Sequence, residues 1–342
     1  MSFSPVTGML RQAARKPGDK LNILTFPTHE RYETYLSMTG HNFYAIRADK
    51  IKDWKSEYAP LPQNYVLLDK NLGEQQLLTH LNIDLVLSQN KYAQYPLAVN
   101  IANQLHLPFI TLEHTLPAKN LPDGTIEKLR MMKGNINVFI SDYSIKQWGF
   151  ENTPDVRVIK HCVDTEVFRP DEFTSGRNNV ILSVVNDWIN RDWCCNFQGW
   201  ARVTKDLPVR PVGDTAGLSK AAKDIAELAS IYSSSRIFIN TSTISPVPSS
   251  LLEAMSSGCA VVSTATCMIP EIIENGVNGF LTNDESEMRK YLELLLKDED
   301  LANELGAKAR QTILDNFGIN RFVSEWNNIF EEASQVPFIG VE

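Results

Sequence analysis

The segment from Pro246 to Leu281 restricts the fold of this chain more than any other. It is predicted to form a loop, a helix, a buried strand, a second helix and a tight turn, in that order. Leu251, Leu252 and Met255 repeat at helical spacing, and the run CAVVST that follows is apolar up to its final Ser-Thr. Such a run is typical of a strand that is buried on both faces of a parallel sheet. The segment therefore predicts one unit of an α/β fold.

The start of that helix has the features of an anion-binding site. Ser249 and Ser250 stand just before the apolar repeat, where the first turn leaves backbone N–H groups unpaired and the helix dipole is positive. An anion such as a diphosphate can bind there, and Glu253 lies one turn later, within reach of a sugar hydroxyl of a bound nucleotide. The same residues also fit a capping box, in which Glu253 reaches back to the cap's own N–H and binds no ligand. The residues by themselves leave both interpretations open.

Strand-like and helical segments alternate along the rest of the chain, which predicts parallel sheets with helices on both faces. Because the chain has 342 residues, it suits two such domains better than one. The predicted strands include residues 21–26, 42–46, 65–68, 84–88, 108–112, 137–140, 179–185 and 237–240. The predicted helices include residues 92–105, 126–132, 193–204, 285–296, 300–317 and 321–333.

The composition is that of a soluble globular protein, with 43% hydrophobic and 22% charged residues. No apolar run approaches the roughly 20 residues of a membrane span, so no integral membrane segment is predicted. Five cysteines lack any Cys-x-x-Cys spacing, which indicates neither a disulfide framework nor a zinc site. We therefore expect a cytoplasmic protein with reduced thiols.

The charge is distributed unevenly between the two halves. The first 150 residues carry 16 Lys and Arg against 13 Asp and Glu, and the remainder carries 17 against 28, which gives +3 and −11. A net charge of −8 argues against a broad duplex-DNA footprint, which is usually basic. Any anionic acceptor would have to meet the basic residues of the first half, unless these are merely solvated: Arg11, Arg15, Lys16, Lys20, Lys50, Lys52 and Lys55.

Segment 246–281 resembles the donor-site signature of the retaining glycosyltransferases of family four, and VIKHCVDTEVFRP is similar to their interdomain hinge. The hinge commonly has Asn-Gly where this chain has His161-Cys162. The resemblance implies an α/β GT-B fold, with two Rossmann-like domains and an interdomain cleft. It also implies an acceptor domain at 1–165, a nucleotide-sugar donor domain at 166–320, and a C-terminal helix and tail at 321–342. This last segment is predicted to pack back towards the N-terminal domain.

The resemblance also implies roles for donor-site residues. Glu253 is the match to the glutamate that binds the ribose, and Ser245 stands where the family usually has a second glutamate that meets the sugar. A serine supplies no charge there, so the identity of the sugar stays open. Arg191 is the match to a basic residue that binds the diphosphate, together with the amides near Ser249, Ser250 and Leu251. A solvent-facing arginine beside an aspartate is the alternative.

Three further candidate residues stand at or near the ends of predicted strands. His114, which follows a predicted strand, matches a histidine that contacts the donor sugar or its phosphate, and His29 is a candidate for the acceptor. A lone histidine can equally be a hydrogen-bonded structural residue. Gly213 is expected near the base or the phosphates, or as a simple turn residue. Asp298-Glu299-Asp300 matches an Asp-x-Asp metal pattern but fits a solvated helix start better, so no metal is predicted.

The resemblance therefore implies a retaining glycosyltransferase that uses a nucleotide diphosphate sugar, with UDP-sugars favoured, and no other cofactor. The acceptor stays open among a glycan, a small molecule and a hydroxylated base in DNA, and the sequence does not reveal the oligomeric state. Two alternatives remain. One is a nucleotide-sugar epimerase, and the other is a non-catalytic nucleotide-sugar-binding protein, which the serine at position 245 motivates.

Overall fold

The computed structural model describes residues 10, 13–48, 51–56, 58–68, 81–118, 121–171 and 176–336. Arg11 and Lys50 of the predicted basic cluster lie outside these residues. The chain divides into two compact units. Unit 1 comprises the described residues of Met1–Lys160 and Phe322–Glu342, and unit 2 comprises those of His161–Arg321.

Unit 1 is built on seven described strands, all parallel, in the order β3-β2-β1-β4-β5-β6-β7. The predicted strands of the first half are confirmed to within about two residues. The elements are β1 Asn22–Thr25, α1 Glu30–Ser37, β2 Asn42–Ala45, β3 Tyr65–Leu67, β4 Leu85–Ser88, α2 Tyr95–Leu105, β5 Phe109–Glu113, α3 Thr125–Met131, β6 Ile136–Phe139, α4 Asp142–Trp148 and β7 Val156–Val158.

The strand order places a topological switch point between β1 and β4. From β1 the chain proceeds to β2 and β3 on one side, and from β4 to β5 and β6 on the other. In open α/β sheets, ligands bind outside the carboxyl ends of the strands at such a point. All residues of β4 and β5 are buried, which explains why these strands have continuous apolar runs.

Unit 2 has five described strands, again parallel, in the order β12-β11-β10-β8-β9. Its switch point lies between β8 and β10. The elements are β8 Asn178–Val184, α5 Asp192–Cys195, α6 Phe197–Val203, β9 Val209–Val212, α7 Ile225–Ser234, β10 Ser235–Asn240, α8 Ser249–Ser256, β11 Ala260–Ser263, β12 Phe280–Leu281, α9 Glu285–Lys297, α10 Glu299–Asn316 and α11 Ile319–Gln335.

Two predicted helices of unit 2 differ from the structure. The single helix predicted at 193–204 is broken at Asn196, which has a left-handed backbone with φ +55° and separates α5 from α6. Asparagine tolerates this conformation, and its side chain accepts a hydrogen bond from the Gly199 N–H at 3.1 Å, which starts α6. The second helix predicted within 246–281 is only a short 3₁₀ turn, Ile269–Glu271, with a proline in its first turn.

The C-terminal helix α11 contributes its residues from Phe322 onward to unit 1. The Trp326 Nε1–H donates to the Tyr32 hydroxyl at 3.1 Å, and both side chains are buried. Within the described part of the chain, no helix is both long and apolar enough to cross a membrane.

Candidate functional site

The loops that follow β8 and β9 are tied together at the carboxyl edge of the unit 2 sheet. The two strands run in register up to Val184 and Val212, so their ends are adjacent. Beyond them, Asn186 Oδ1 accepts from the Asp214 N–H at 2.9 Å, and the Asp187 N–H donates to the Asp214 carbonyl at 2.6 Å. These bonds fix the segment that leads to Arg191.

Arg191 is exposed at the start of α5. Its guanidinium donates from Nη1 to the Asn186 carbonyl at 3.3 Å, and this side chain makes no other hydrogen bond to the described residues. The group is therefore held beside the end of β8 while most of its donors stay available. A planar guanidinium in this state can bind two oxygens of a phosphate and is always charged.

Gly213 is required where it stands for a steric reason. Its φ is +121°, and a Cβ at this position would lie 2.1 Å from the Val185 carbonyl oxygen. Its N–H donates to the Lys220 carbonyl at 3.0 Å and its carbonyl accepts from the Ser219 hydroxyl at 2.7 Å. The glycine lets the loop after β9 approach the end of β8 closely.

The loop that carries Ser245 follows β10, across the switch point from β8. The Thr243 N–H donates to the Cys194 carbonyl at 2.8 Å, and the Thr241 hydroxyl donates to the Cys195 carbonyl at 2.9 Å. The loop is thus attached to the end of α5, the helix that begins after Arg191. Ser245 itself is half-buried.

Helix α8 begins at Ser249, with Pro248 at the cap position and no side-chain cap. The Leu251 N–H donates back to the Pro248 carbonyl at 3.0 Å, so this amide is used within the helix. The N–H groups of Ser249 and Ser250 have no acceptor in the part of the chain that the structure describes. Because Ser250 lies inside the helix, it does not occupy the cap position that a capping box requires.

Glu253 is buried, with 6% of its surface exposed. The hydroxyl of Tyr232, on α7, donates to its Oε2 at 3.0 Å. Tyr232 is itself fully buried and packs edge-on against Phe168, with ring centroids 5.8 Å apart. The carboxylate is therefore fixed in position by the core of unit 2.

The two candidate histidines lie at strand ends of unit 1. His29 precedes α1, is exposed, and makes no side-chain cap bond. His114 follows β5 directly and is half-buried, with its Nε2 3.2 Å from Gln89 Oε1 and its ring edge-on to Tyr32 at 4.5 Å between centroids. The Thr28 hydroxyl, in the loop that ends at His29, also lies 3.2 Å from Gln89 Oε1.

The sequence did not identify three polar residues that support His114 and Glu253. Gln89 directly follows the predicted strand 84–88, and the rule that ligands gather at strand ends could have found it. Glu33 and Tyr232 carry no such signal. Both lie on helices at ordinary positions, and only tertiary packing brings them to Gln89 and Glu253.

No group of three or more His, Cys, Asp or Glu side chains in the described residues could hold a metal ion. Asp298, the first residue of the Asp-x-Asp pattern, accepts from the Leu301 N–H at 2.9 Å and caps α10. The predicted role of this aspartate as a helix start is confirmed.

Residues 221–312 match the family model described as Glycosyl transferases group 1, which covers Ser245 and all of α8. N-acetyl-alpha-D-glucosaminyl L-malate synthase of Bacillus anthracis is 34% identical over 85 residues, which are 24% of this chain and 22% of that protein. Alpha-maltose-1-phosphate synthase of Mycolicibacterium smegmatis is 27% identical over 118 residues, 32% of this chain and 29% of that protein. The matched parts thus span less than a third of these relatives.

Solved structures match over a much larger share of the chain. HepE from Anabaena in complex with UDP has a TM-score of 0.73 at 14% identity, covering 92% of this chain and 100% of that one. Sucrose-phosphate synthase from Thermosynechococcus elongatus has a TM-score of 0.70 at 12% identity, covering 92% and 99%. The chain has the α/β GT-B fold of these glycosyltransferases, as the segment 246–281 and the hinge predict.

Proposed function

We propose that the chain is a retaining glycosyltransferase that moves a sugar from a nucleoside diphosphate, with UDP favoured, to an acceptor hydroxyl. One observation carries the proposal. In unit 2, the loop after β8 carries a guanidinium with available donors, and helix α8, which follows the neighbouring strand β10, carries two unpaired amides and a buried carboxylate held by Tyr232 within the segment that matches group 1 glycosyl transferases. The choice of UDP is supported by the structure of HepE, which contains it.

In the proposed reaction, the diphosphate binds to Arg191 and to the amides of Ser249 and Ser250. The bond between the anomeric carbon and the phosphate oxygen breaks while the bond to the acceptor oxygen forms on the same face of the sugar. The acceptor's proton passes to the departing phosphate oxygen, so no other base is required. Donors placed in advance where charge develops are usually the largest contribution to such catalysis. No metal ion takes part in this proposal.

Glu253 is proposed to accept a hydrogen bond from the ribose, because its carboxylate is held in place by Tyr232 and not by solvent. Ser245, on the neighbouring loop, is proposed to meet the transferred sugar, and Gly213 to leave room near the base or phosphates. In unit 1, His114 is proposed for the donor sugar or its phosphate and His29 for the acceptor. The acceptor is a glycan, a small molecule or a hydroxylated base in DNA.

A second function is favoured by one observation, the serine at position 245. A neutral side chain there would suit a protein that binds a nucleotide sugar without transferring it. This alternative predicts ligand-induced stabilisation with no product in the presence of any acceptor. An epimerase, the third possibility, would interconvert the donor sugar when no acceptor is added.

The first experiment is a thermal-stability screen with nucleoside diphosphates and their sugars. A ligand present at 100 times its dissociation constant stabilises the native state by about 2.7 kcal/mol, which is readily detected. We expect one nucleotide to raise the melting temperature of the wild type, and Arg191→Ala and Glu253→Ala to weaken the effect. Arg202→Ala is the matched control, because Arg202 is an exposed arginine of the same unit that pairs with Glu285.

The second experiment follows turnover and stereochemistry with the nucleotide sugar so identified. Loss of one such electrostatic donor typically costs about a hundredfold to a thousandfold in rate, so Arg191→Ala should lose at least that much while it stays folded. NMR of the first product formed should show the anomeric configuration of the donor. An inverted anomer, or wild-type turnover in folded Arg191→Ala, would overturn the proposed mechanism.

A further inference from the structure

A chain of three polar side chains crosses the switch point of unit 1 and ends at His114. Glu33, on α1, is fully buried, and its Oε1 lies 2.8 Å from Nε2 of Gln89. Gln89 is also buried and follows β4, and its Oε1 lies 3.2 Å from Nε2 of His114. The three residues come from three different elements, so the sheet topology brings them together.

The surroundings of Gln89 determine which way its amide points. Its Nε2 faces Glu33 Oε1 at 2.8 Å, the Thr25 hydroxyl at 3.0 Å and the Phe26 carbonyl at 3.4 Å. A backbone carbonyl accepts hydrogen bonds and never donates them, and the Glu33 carboxylate does the same once it is ionised, above its raised pKa of about 7, so the NH₂ group lies on this side. The amide oxygen therefore faces His114, at 3.2 Å from its Nε2.

This orientation decides the tautomer of the histidine. An amide oxygen can only accept, so the ring nitrogen that meets it must carry a proton. We propose that Gln89, held by Glu33, is a positioning residue that keeps neutral His114 in the Nε2–H tautomer. The proposal deepens the proposed function, on which the meaning of His114 for catalysis rests.

The tautomer limits what His114 can recognise. When the ring is neutral and Nε2 carries the proton, Nδ1 meets every partner as an acceptor. A sugar hydroxyl has a proton to give to such a nitrogen, whereas a phosphate oxygen that has lost its proton does not. The chain from Glu33 therefore assigns His114 to a hydroxyl and not to a phosphate.

The ring is also held against rotation by its neighbours. Tyr32, on α1, packs edge-on against His114 with an interplanar angle of 85°, and its hydroxyl accepts from the Trp326 indole at 3.1 Å. Tyr32 packs in the same edge-on manner against Phe322, at 5.3 Å between centroids. Both the plane and the protonation of His114 are thus set by residues that need not touch a substrate.

The test is the tautomer itself, measured by NMR on the full chain labelled with ring ¹⁵N-histidine. The chain has only six histidines, and the signals of His114 are identified by their loss in His114→Asn. We expect the wild type to have a protonated Nε2 and an unprotonated Nδ1 at pH values where the ring is neutral. A protonated Nδ1 with an unprotonated Nε2 would overturn the proposal.

Variants separate positioning from general damage to the fold. Gln89→Met and Glu33→Leu should give a mixture of tautomers, whereas Glu33→Gln should keep the wild-type tautomer because its amide oxygen can still accept from Gln89. Asp84→Asn is the control, since Asp84 is an acid with a 5% exposed side chain at the opposite end of β4, where it accepts from the Asn22 N–H at 2.8 Å and pairs with Arg15. An unchanged tautomer in folded Gln89→Met would overturn the proposal.

Turnover is measured separately, so that this proposal and the proposed function can fail independently. We expect Gln89→Met and Glu33→Leu each to lower kcat about 10- to 100-fold, the range seen for outer partners of functional histidines at metal sites, and Glu33→Gln to keep most of the wild-type kcat. If the wild type shows the Nε2–H tautomer but transfers no sugar, the proposed function is wrong and the positioning stands. If kcat is unchanged in a Gln89→Met variant with mixed tautomers, the role in catalysis is wrong.

Discussion

Replacing Glu33 with glutamine should change the pH dependence of the stability of unit 1. Complete burial raises the pKa of this carboxyl from 4.5 to about 7, although the hydrogen bonds from Thr28 and Gln89 act in the opposite direction. The Oε1 atom accepts from the Thr28 hydroxyl at 2.7 Å and from the Gln89 amide at 2.8 Å. Because the carboxyl is fully buried, its ionised form is costly in the folded state even with these hydrogen bonds.

The direction of the change in stability with pH follows from which state, folded or unfolded, releases the Glu33 proton first. As the pH rises above 4.5, the unfolded chain ionises Glu33 while the folded chain keeps it protonated up to about pH 7. The stability that Glu33 contributes is therefore fully present below pH 4.5 and is lost as the pH rises through 7. One pKa unit corresponds to about 1.4 kcal/mol, so the loss between pH 4.5 and 8 amounts to about 3 kcal/mol.

Glutamine does not titrate, so Glu33→Gln does not lose this stability. The difference in unfolding free energy between Glu33→Gln and the wild type should therefore rise by about 3 kcal/mol from pH 4.5 to 8, in favour of the variant. Urea unfolding at several pH values, read by pulsed hydrogen exchange of peptides from β4, reports unit 1 separately from unit 2. Glu127→Gln makes the same chemical change on the exposed surface of α3 and serves as the control. A Glu33→Gln difference that stays constant from pH 4.5 to 8 would refute the reasoning.

Three further predictions concern unit 2. Gly213→Ala should lower the free energy of unfolding by about 1–3 kcal/mol or more, because φ is +121° and the added Cβ meets a carbonyl oxygen. The control Gly217→Ala, where φ is +77° and the Cβ enters open space, should lower this free energy by less in the same urea titration. Tyr232→Phe removes the donor to the buried carboxylate of Glu253 and should cost about 1–3 kcal/mol of stability in urea unfolding, with weaker nucleotide stabilisation in the thermal screen. Asp298→Ala should lower the free energy of unfolding by about 1 kcal/mol, because the α10 cap is lost. Its kcat should equal that of the wild type with and without added Mn²⁺, and a loss of metal-dependent turnover would show that Asp298 is a metal ligand.

The parallel sheets could be predicted from the sequence because many of their strands are short, continuous apolar runs. Residues 84–88, 108–112 and 237–240 are apolar runs of strand length, and the structure buries both faces of the corresponding strands. The ends of these runs then pointed to His114 and the loop before α8. Such local signals do not depend on which strands become neighbours.

Other features depend on contacts that no local pattern contains. The helical pattern of 193–204 continues through Asn196, and the break appears only because the Asn196 side chain caps a new helix. The partners Glu33 and Gln89 are far apart in the sequence, and only the pairing of β1 with β4 brings them together. The steric need for Gly213 likewise arises from the carbonyl of Val185 on the neighbouring strand's loop.

The most direct test of the account is the affinity of UDP for the full chain, measured by titration calorimetry on the wild type, Arg191→Ala, Glu253→Ala and the control Arg202→Ala. The account predicts saturable binding of one UDP per chain, weakened in the first two variants and unchanged in the control. Equal affinity in all four proteins, or binding of no nucleoside diphosphate by the folded wild type, would contradict a donor site at the carboxyl edge of the unit 2 sheet.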